Sequence, residues 1–251
     1  MWSETIGFRD YRPQYLRQFF KDVARQVPLN RKEDLLDLGC GAGEVALGFR
    51  RYVRSLTGVD SEAPILDLAR QRAQEAGCKI RLHCSLAQEA PEDLGKFHLI
   101  TMGKAHWFMN SPATMQRIEK WLLPKGCVLV CWPSDANLAG APWHPIFNTI
   151  RRRWARADNS DLLRLTPRDF FKGTDFEVAA LVETPGTRTI DLDHVLKRAL
   201  GYPSSSRPLL GDDADRMLDE MRAALTPYFK DGPVTEQECS IGWIFRRRRD
   251  R

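Results

Sequence analysis

Along residues 13 to 132 the apolar positions switch between two rhythms, and the switches predict alternating helices and strands. Tyr15, Leu16, Phe19, Phe20, Val23 and Val27 recur at helical spacing, so about 13 to 27 reads as an amphipathic helix, closed by Pro28-Leu29-Asn30. Short apolar runs follow. Asp34–Leu38, Arg54–Val59, Lys79–Cys84, Phe97–Met102 and Cys127–Trp132 read as strands. Helices are predicted between them from Glu44 to about Tyr52, from Pro64 to Ala76 and over about 112 to 122, with Leu123–Gly126 as a turn. Strands alternating with helices across short Gly/Pro turns predict an α/β fold: a Rossmann-like, doubly wound, mostly parallel sheet. Sheets of this kind bind ligands at the carboxyl ends of their strands, where strand order reverses.

From Pro133 to Asp175 the alternation breaks. Trp143, His144, a helix over about 147–154 and Phe170-Phe171 read as an aromatic-rich insertion, or lid, after strand five. Phe176–Glu183 predicts a sixth strand, with Thr187–Ile190 extending it in a hairpin. Helices are expected at about 191–201 and 211–226, and the alternation Ile241, Trp243, Phe245 predicts a seventh strand, antiparallel at the sheet edge. Residues 1–251 thus read as a single domain, with a cofactor-binding half at 1–132, an insertion at 133–175 and C-terminal strands and helices at 176–251.

Composition narrows the partners. With 38 Lys+Arg against 33 Asp+Glu the chain carries only +5, and Arg151–Arg153 and the tail Arg246–Arg249 with Arg251 read as solvated charge. The six cysteines include no CxxC and no Cys/His cluster with zinc spacing, which points to reduced thiols in a cytoplasmic protein and to no metal site. No apolar run has the length of a membrane span, and the first fifteen residues lack the apolar core of a signal peptide. Oligomeric state stays open.

The densest chemistry is Asp37-Leu-Gly39-Cys-Gly41-Ala-Gly43-Glu44, between a predicted strand and a predicted helix. Glycines here permit positive φ and close approach of a ligand to the backbone. A dinucleotide site reads GxGxxG around a pyrophosphate. This chain reads GxGxG followed by Glu44, a carboxylate that a pyrophosphate would repel and a zwitterionic amino-acid tail would tolerate. Asp60, seventeen residues beyond Gly43 at the end of the second strand, can accept both hydroxyls of a ribose.

The segments LLDLGCGAGE, TGVDSEAPILDLAR and LITMGKAHWF resemble successive motifs of the class I S-adenosylmethionine-dependent methyltransferases. The likeness is closest to the branch typified by ubiquinone-biosynthesis C-methyltransferases and trans-aconitate methyltransferases, and it covers about residues 8–132. It implies S-adenosylmethionine as cofactor and the following roles. Gly39 and Gly41 back the methionine portion, Asp60 holds the ribose, Ser61 lies by the adenosine, and Arg12 and Tyr15 of the RPxYP-like segment cover the methionine end. Met102 and Gly103 lie under the transferring methyl group. Where the family usually reads Gly-Asp-Ala after strand three, this chain has Ser85-Leu86-Ala87, so Leu86 cannot accept a bond from the adenine amino group.

His106-Trp107-Phe108 resembles the AxHWF motif of that branch. His106 is a candidate catalytic base; its other reading is a loop-orienting hydrogen bond to a backbone carbonyl. Trp107, Trp132, Trp143 and His144 are expected to wall the acceptor pocket. The resulting expectation is an enzyme that transfers methyl in line to a small-molecule acceptor. RNA or protein methylation is the alternative, disfavoured because no appended RNA-binding module and no NPPY-type motif is present; a cofactor-binding domain without catalysis is another.

Overall fold

In the computed structural model, which describes residues 3–134, 141–156 and 165–248, adjacent residues of the central strands point into two different hydrophobic cores. Leu35, Leu99, Cys127, Leu129 and Cys131 face one core, whereas Leu36, Ile100, Val128 and Val130 face the other. A side-chain period of two with both faces apolar is what a sheet covered by helices on each side requires. The strands are β1 (Asp34–Leu38), β2 (Ser55–Asp60), β3 (Arg81–Cys84), β4 (Phe97–Gly103), β5 (Leu122–Ser134), β6 (Phe176–Ile190) and β7 (Val234–Arg247).

They form a seven-stranded sheet in the order β3-β2-β1-β4-β5-β7-β6. The pairings β1 with β2, β1 with β4, β2 with β3 and β4 with β5 are all parallel. Strand order therefore reverses between β1 and β4, and the crevice for a ligand lies beyond their carboxyl ends. On the first face pack α1 (Arg17–Gln26), through Phe19, Phe20 and Val23, and α2 (Glu44–Gly48), through Val45 and Leu47. On the other, Ile118 and Trp121 of α4 (Pro112–Trp121) close the second core; α3 is Ala63–Glu75.

Four expectations change. The helix expected from Glu44 to Tyr52 ends at Gly48, where a side chain would meet the Phe20 ring at 2.1 Å. Residues 123–126 are not a separate turn; they lie inside β5, whose register against β4 slips between Phe97 and Leu99. Phe176–Ile190 is one strand rather than a strand plus hairpin, and it lies at the sheet edge, where a proline such as Pro185 is tolerated. The final strand is not at the edge but between β5 and β6.

By contacts the chain divides into two compact units, a partition other than 1–132, 133–175 and 176–251. One contains Tyr15–Trp132, Asp161–Thr184 and Ser240–Arg251, the other Met1–Gln14, Pro133–Ser160 and Pro185–Cys239. The second has its own core from α5 (His144–Trp154), α7 (Leu192–Leu200) and α9 (Asp213–Leu225), with Phe147, Leu196, Met217 and Met221 buried. Arg198, fully buried there, is paired with Glu236 and donates from Nε to the Tyr11 carbonyl at 3.1 Å. No helix among the described residues is long and apolar enough to cross a membrane.

Candidate active site

The turn after β1 is built by its glycines and stapled to β2. Gly39, Gly41 and Gly43 have φ of 66°, 53° and 79°, the left-handed region where a Cβ is costly. The N–H groups of Gly39 and Cys40 both donate to the Val59 carbonyl, at 2.8 and 3.0 Å. Asp60 accepts the Gly41 N–H on one oxygen at 2.8 Å and the Glu62 N–H on the other at 3.0 Å. A carboxylate offers about four lone-pair sites, so two remain for further donors. A Cβ on Gly39 would stand 2.6 Å from Ala105 Cβ and 2.7 Å from Met109 Cε, so the loop after β4 lies against this turn.

Beneath the turn sits a buried carboxyl group to which the sequence reading assigned no role. Asp37 is 1% exposed, takes a bond from Thr101 Oγ1 at 2.7 Å and another from the Ala46 N–H at 3.2 Å. Gly43 has no side chain to cap α2, and Asp37 satisfies that helix's first turn from the neighbouring strand. Burial pushes its carboxyl up to about 7. Its signal was present: a carboxylate within an otherwise apolar, doubly covered strand is rarely idle.

Tyr15 lies over the ends of β4 and β5. Its hydroxyl donates to the Cys131 carbonyl at 3.0 Å, and a Cβ on Gly103 would come within 2.9 Å of that hydroxyl oxygen and 2.5 Å of Val45 Cγ2. Ser61 is exposed. The Ser85 N–H donates to the Asp60 carbonyl at 2.9 Å; Leu86 is 43% exposed and Ala87 is buried. Met102 departs from expectation. Sharing a face with Ile100, its side chain is fully buried in the second core, which leaves Gly103 alone to face the crevice.

His106 is 1% exposed, and its Nε2 lies 3.0 Å from the Leu165 carbonyl. A carbonyl only accepts, so Nε2 carries the proton and Nδ1 is a bare lone pair. Burial lowers the imidazole pKa and keeps the ring neutral. Its ring stands edge-on to Trp107 at 4.5 Å and stacks toward Trp132 at 6.4 Å. Among the described residues neither His106 Nδ1 nor Trp107 Nε1, both buried, has a hydrogen-bond partner.

Arg12, Trp143 and His144 belong to the other unit. Arg12 stands 5.0 Å from the Tyr202 ring, which Arg151 also approaches, at 4.3 Å. Trp143, 2% exposed, is a core side chain of that unit rather than a pocket wall, and His144 Nε2 is 3.2 Å from Asn148 Nδ2. A hollow of about 610 Å³ lined by Asp34, Arg54, Arg81 and Lys96 opens at the amino-terminal ends of the strands, away from the glycine turn. No group of His, Cys, Asp or Glu among the described residues is arranged to hold a metal ion.

Residues 35–126 match a family model described as a methyltransferase domain. An uncharacterized methyltransferase, YcgJ of Bacillus subtilis (strain 168), is 32% identical over 98 residues, 38% of this chain and 39% of the relative. Trans-aconitate 2-methyltransferase of Variovorax paradoxus (strain S110) is 27% identical over 165 residues, covering 61% of this chain and 62% of the relative. Among solved structures, an S-adenosylmethionine-dependent methyltransferase of Thiobacillus denitrificans in complex with S-adenosyl-L-homocysteine superimposes with a TM-score of 0.55 at 16% identity, over 98% of this chain and 97% of that one. The matched stretches span from about a third to a half of the first curated relatives' length. Residues 35–126 are thus similar to a methyltransferase domain, and the sheet around them shares its Rossmann-like fold with that S-adenosylmethionine-dependent methyltransferase.

Proposed function

We propose that the protein is an enzyme that transfers a methyl group from S-adenosylmethionine to a small-molecule acceptor. The observation that carries this reading is the three-glycine turn bonded to Asp60 beside the β1/β4 switch point. Such a turn admits a ligand against bare backbone, and the two open acceptor positions of Asp60 match the two hydroxyls of a ribose. Tyr15 is assigned to the methionine end, Gly39 and Gly41 to its backing, and Ser61 and Ser85 to the adenosine. Exposed Leu86 offers an apolar surface for the adenine face, in place of the usual carboxylate at its edge.

When bound, S-adenosylmethionine supplies an electrophilic methyl group on a sulfonium, which the acceptor takes in one in-line displacement. The chain's own part is alignment and exclusion of water, which supply much of the rate of such transfers. Trp107 and Trp132 wall the acceptor side. His106, neutral and held by Leu165, presents Nδ1 as a lone pair that takes the hydrogen of an acceptor O–H, N–H or S–H. A cytoplasmic, reducing setting accords with six free cysteines.

The test is turnover of methyl-labelled cofactor against a panel of small acids, phenols, amines and thiols, and separately against total RNA. Label is expected in one small-molecule class and not in RNA. With the acceptor in hand, His106→Ala should lower kcat by roughly 100-fold or more if it removes a general base. Full turnover by that variant would end the catalytic assignment.

A further inference from the structure

The second loop at the switch point carries a charge that the glycine motif does not explain. Lys104, immediately after β4, has φ of 56°, and among the described residues only Arg31 shares a positive φ without being glycine. A left-handed lysine is disfavoured, and such residues persist where the surroundings hold them. Here the Lys104 N–H donates to the Cys131 carbonyl at 2.9 Å, one residue beyond the end of β4. The turn takes the side chain out of the strand's alternation. Its Nζ lies 5.9 Å from the centre of the Tyr15 ring and 3.8 Å from Glu44 Oε2.

Glu44 opens α2, directly after Gly43, and also lies 3.9 Å from Arg72. The side chains of Lys104 and Glu44 are 20% and 15% exposed. At that separation the two opposite charges face each other across the two loops at the switch point, Glu44 at the start of the helix that follows β1 and the glycine turn and Lys104 just after β4. Partly desolvated charges this close interact more strongly than surface pairs do.

We infer that Lys104 and Glu44 are the two poles that receive the amino-acid end of the cofactor, Lys104 taking its α-carboxylate and Glu44 its α-ammonium. The inference rests on the S-adenosylmethionine reading above and adds two recognition residues to it. A zwitterion answers both poles at once; a diphosphate would satisfy Lys104 and be repelled by Glu44. The left-handed backbone at Lys104 is the distortion that aims the ammonium at the tail.

Titration calorimetry with S-adenosylhomocysteine and 5′-methylthioadenosine tests this, because the second ligand keeps the adenosine and sulfur but lacks the amino-acid end. Lys104→Met and Glu44→Gln are each expected to weaken S-adenosylhomocysteine by roughly 10- to 100-fold, the range for one lost charge-assisted hydrogen bond. Binding of 5′-methylthioadenosine should change by no more than about twofold. Lys104→Gly relieves the backbone, so it should melt no lower than wild type and still lose the homocysteine-dependent affinity. Equal weakening of both ligands, or full affinity in Lys104→Gly, would make the lysine a shaper of the turn and overturn the assignment. Unchanged affinity in Lys104→Met would place the tail elsewhere. If wild type binds neither ligand, the cofactor reading itself fails, a separate outcome from those.

Discussion

At the scale of single residues, Asp37 ties the site to the stability of the fold. Its carboxyl is raised by burial from 3.8 to about 7, so over that interval the folded protein holds a proton that the unfolded chain releases. This contribution to stability is complete below pH 4 and is lost as pH rises through about 7; by the spacing of the two values it is worth at most about 4 kcal/mol. Chemical denaturation from pH 5 to 8 should therefore show wild type losing more unfolding free energy than Asp37→Asn, which keeps an oxygen for the Ala46 N–H, turns its amide N–H toward the Thr101 hydroxyl and does not titrate. Parallel curves would refute the assignment. Gly39 makes a complementary test. Alanine there needs φ of 66° and a Cβ 2.6 Å from that of Ala105, so Gly39→Ala should abolish measurable cofactor binding in calorimetry while the chain stays folded.

The same residues mark the reach of sequence reading. Gly39, Gly41, Gly43 and Asp60 announce themselves because their constraints are local: a turn that demands positive φ and an acid at a strand tip. Lys104 depends on which strand lies beside which, and nothing in GKAHWF states that β1 and β4 are neighbours; Asp37 stood out as an acid in an apolar strand, but its bond to Thr101 rests on that same pairing. Met102 fails for the reverse reason, since being near a site in sequence does not say which face of the sheet a side chain takes.

At the scale of elements, strand existence was legible and strand continuity was not. Leu123-Pro-Lys-Gly126 carries the composition of a turn, yet pairing with β4 on both sides of a register slip makes it an irregularity within β5. Pro185-Gly186 likewise reads as a hairpin turn but lies inside an edge strand that tolerates it. The basic tail changes meaning too. Arg247, expected among solvated charges, donates to the carbonyls of Glu119 at 2.7 Å and Leu123 at 3.0 Å, and so caps the end of α4; Arg246 donates to the Gln26 carbonyl at 3.2 Å. A cation there also meets the negative end of the helix dipole. Arg247→Ala should cost about 1–2 kcal/mol in a urea titration. A loss within about 0.3 kcal/mol would return the residue to the solvated class. Arg249 and Arg251 lie outside the described residues.

At the scale of the whole molecule, the two units are stabilised by different means. The unit that carries the sheet's first five strands relies on two apolar layers, whereas the other buries a charge pair, Arg198 with Glu236, within its helical core. Removing one member of a buried pair strands the other, so Arg198→Ala should destabilise the protein by roughly 3–5 kcal/mol, and the double replacement Arg198→Met with Glu236→Met by much less. Equilibrium denaturation of the three proteins decides it; equal losses for single and double variants would mean the packing of Arg198, not its charge, is what counts. The division into units was hidden from the sequence because the second is assembled from three separated stretches.

That interleaving sets an order of events at the ribosome. The Tyr11 carbonyl is held by Arg198 and His194, which emerge more than 180 residues later. At ordinary elongation rates, about 5–20 residues per second, the first stretch of the chain waits roughly 10–40 s for the helix that fixes it. All five strands from β1 to β5 leave the exit tunnel in that time, so the nascent sheet can close while the amino-terminal arm is still in search of its partner.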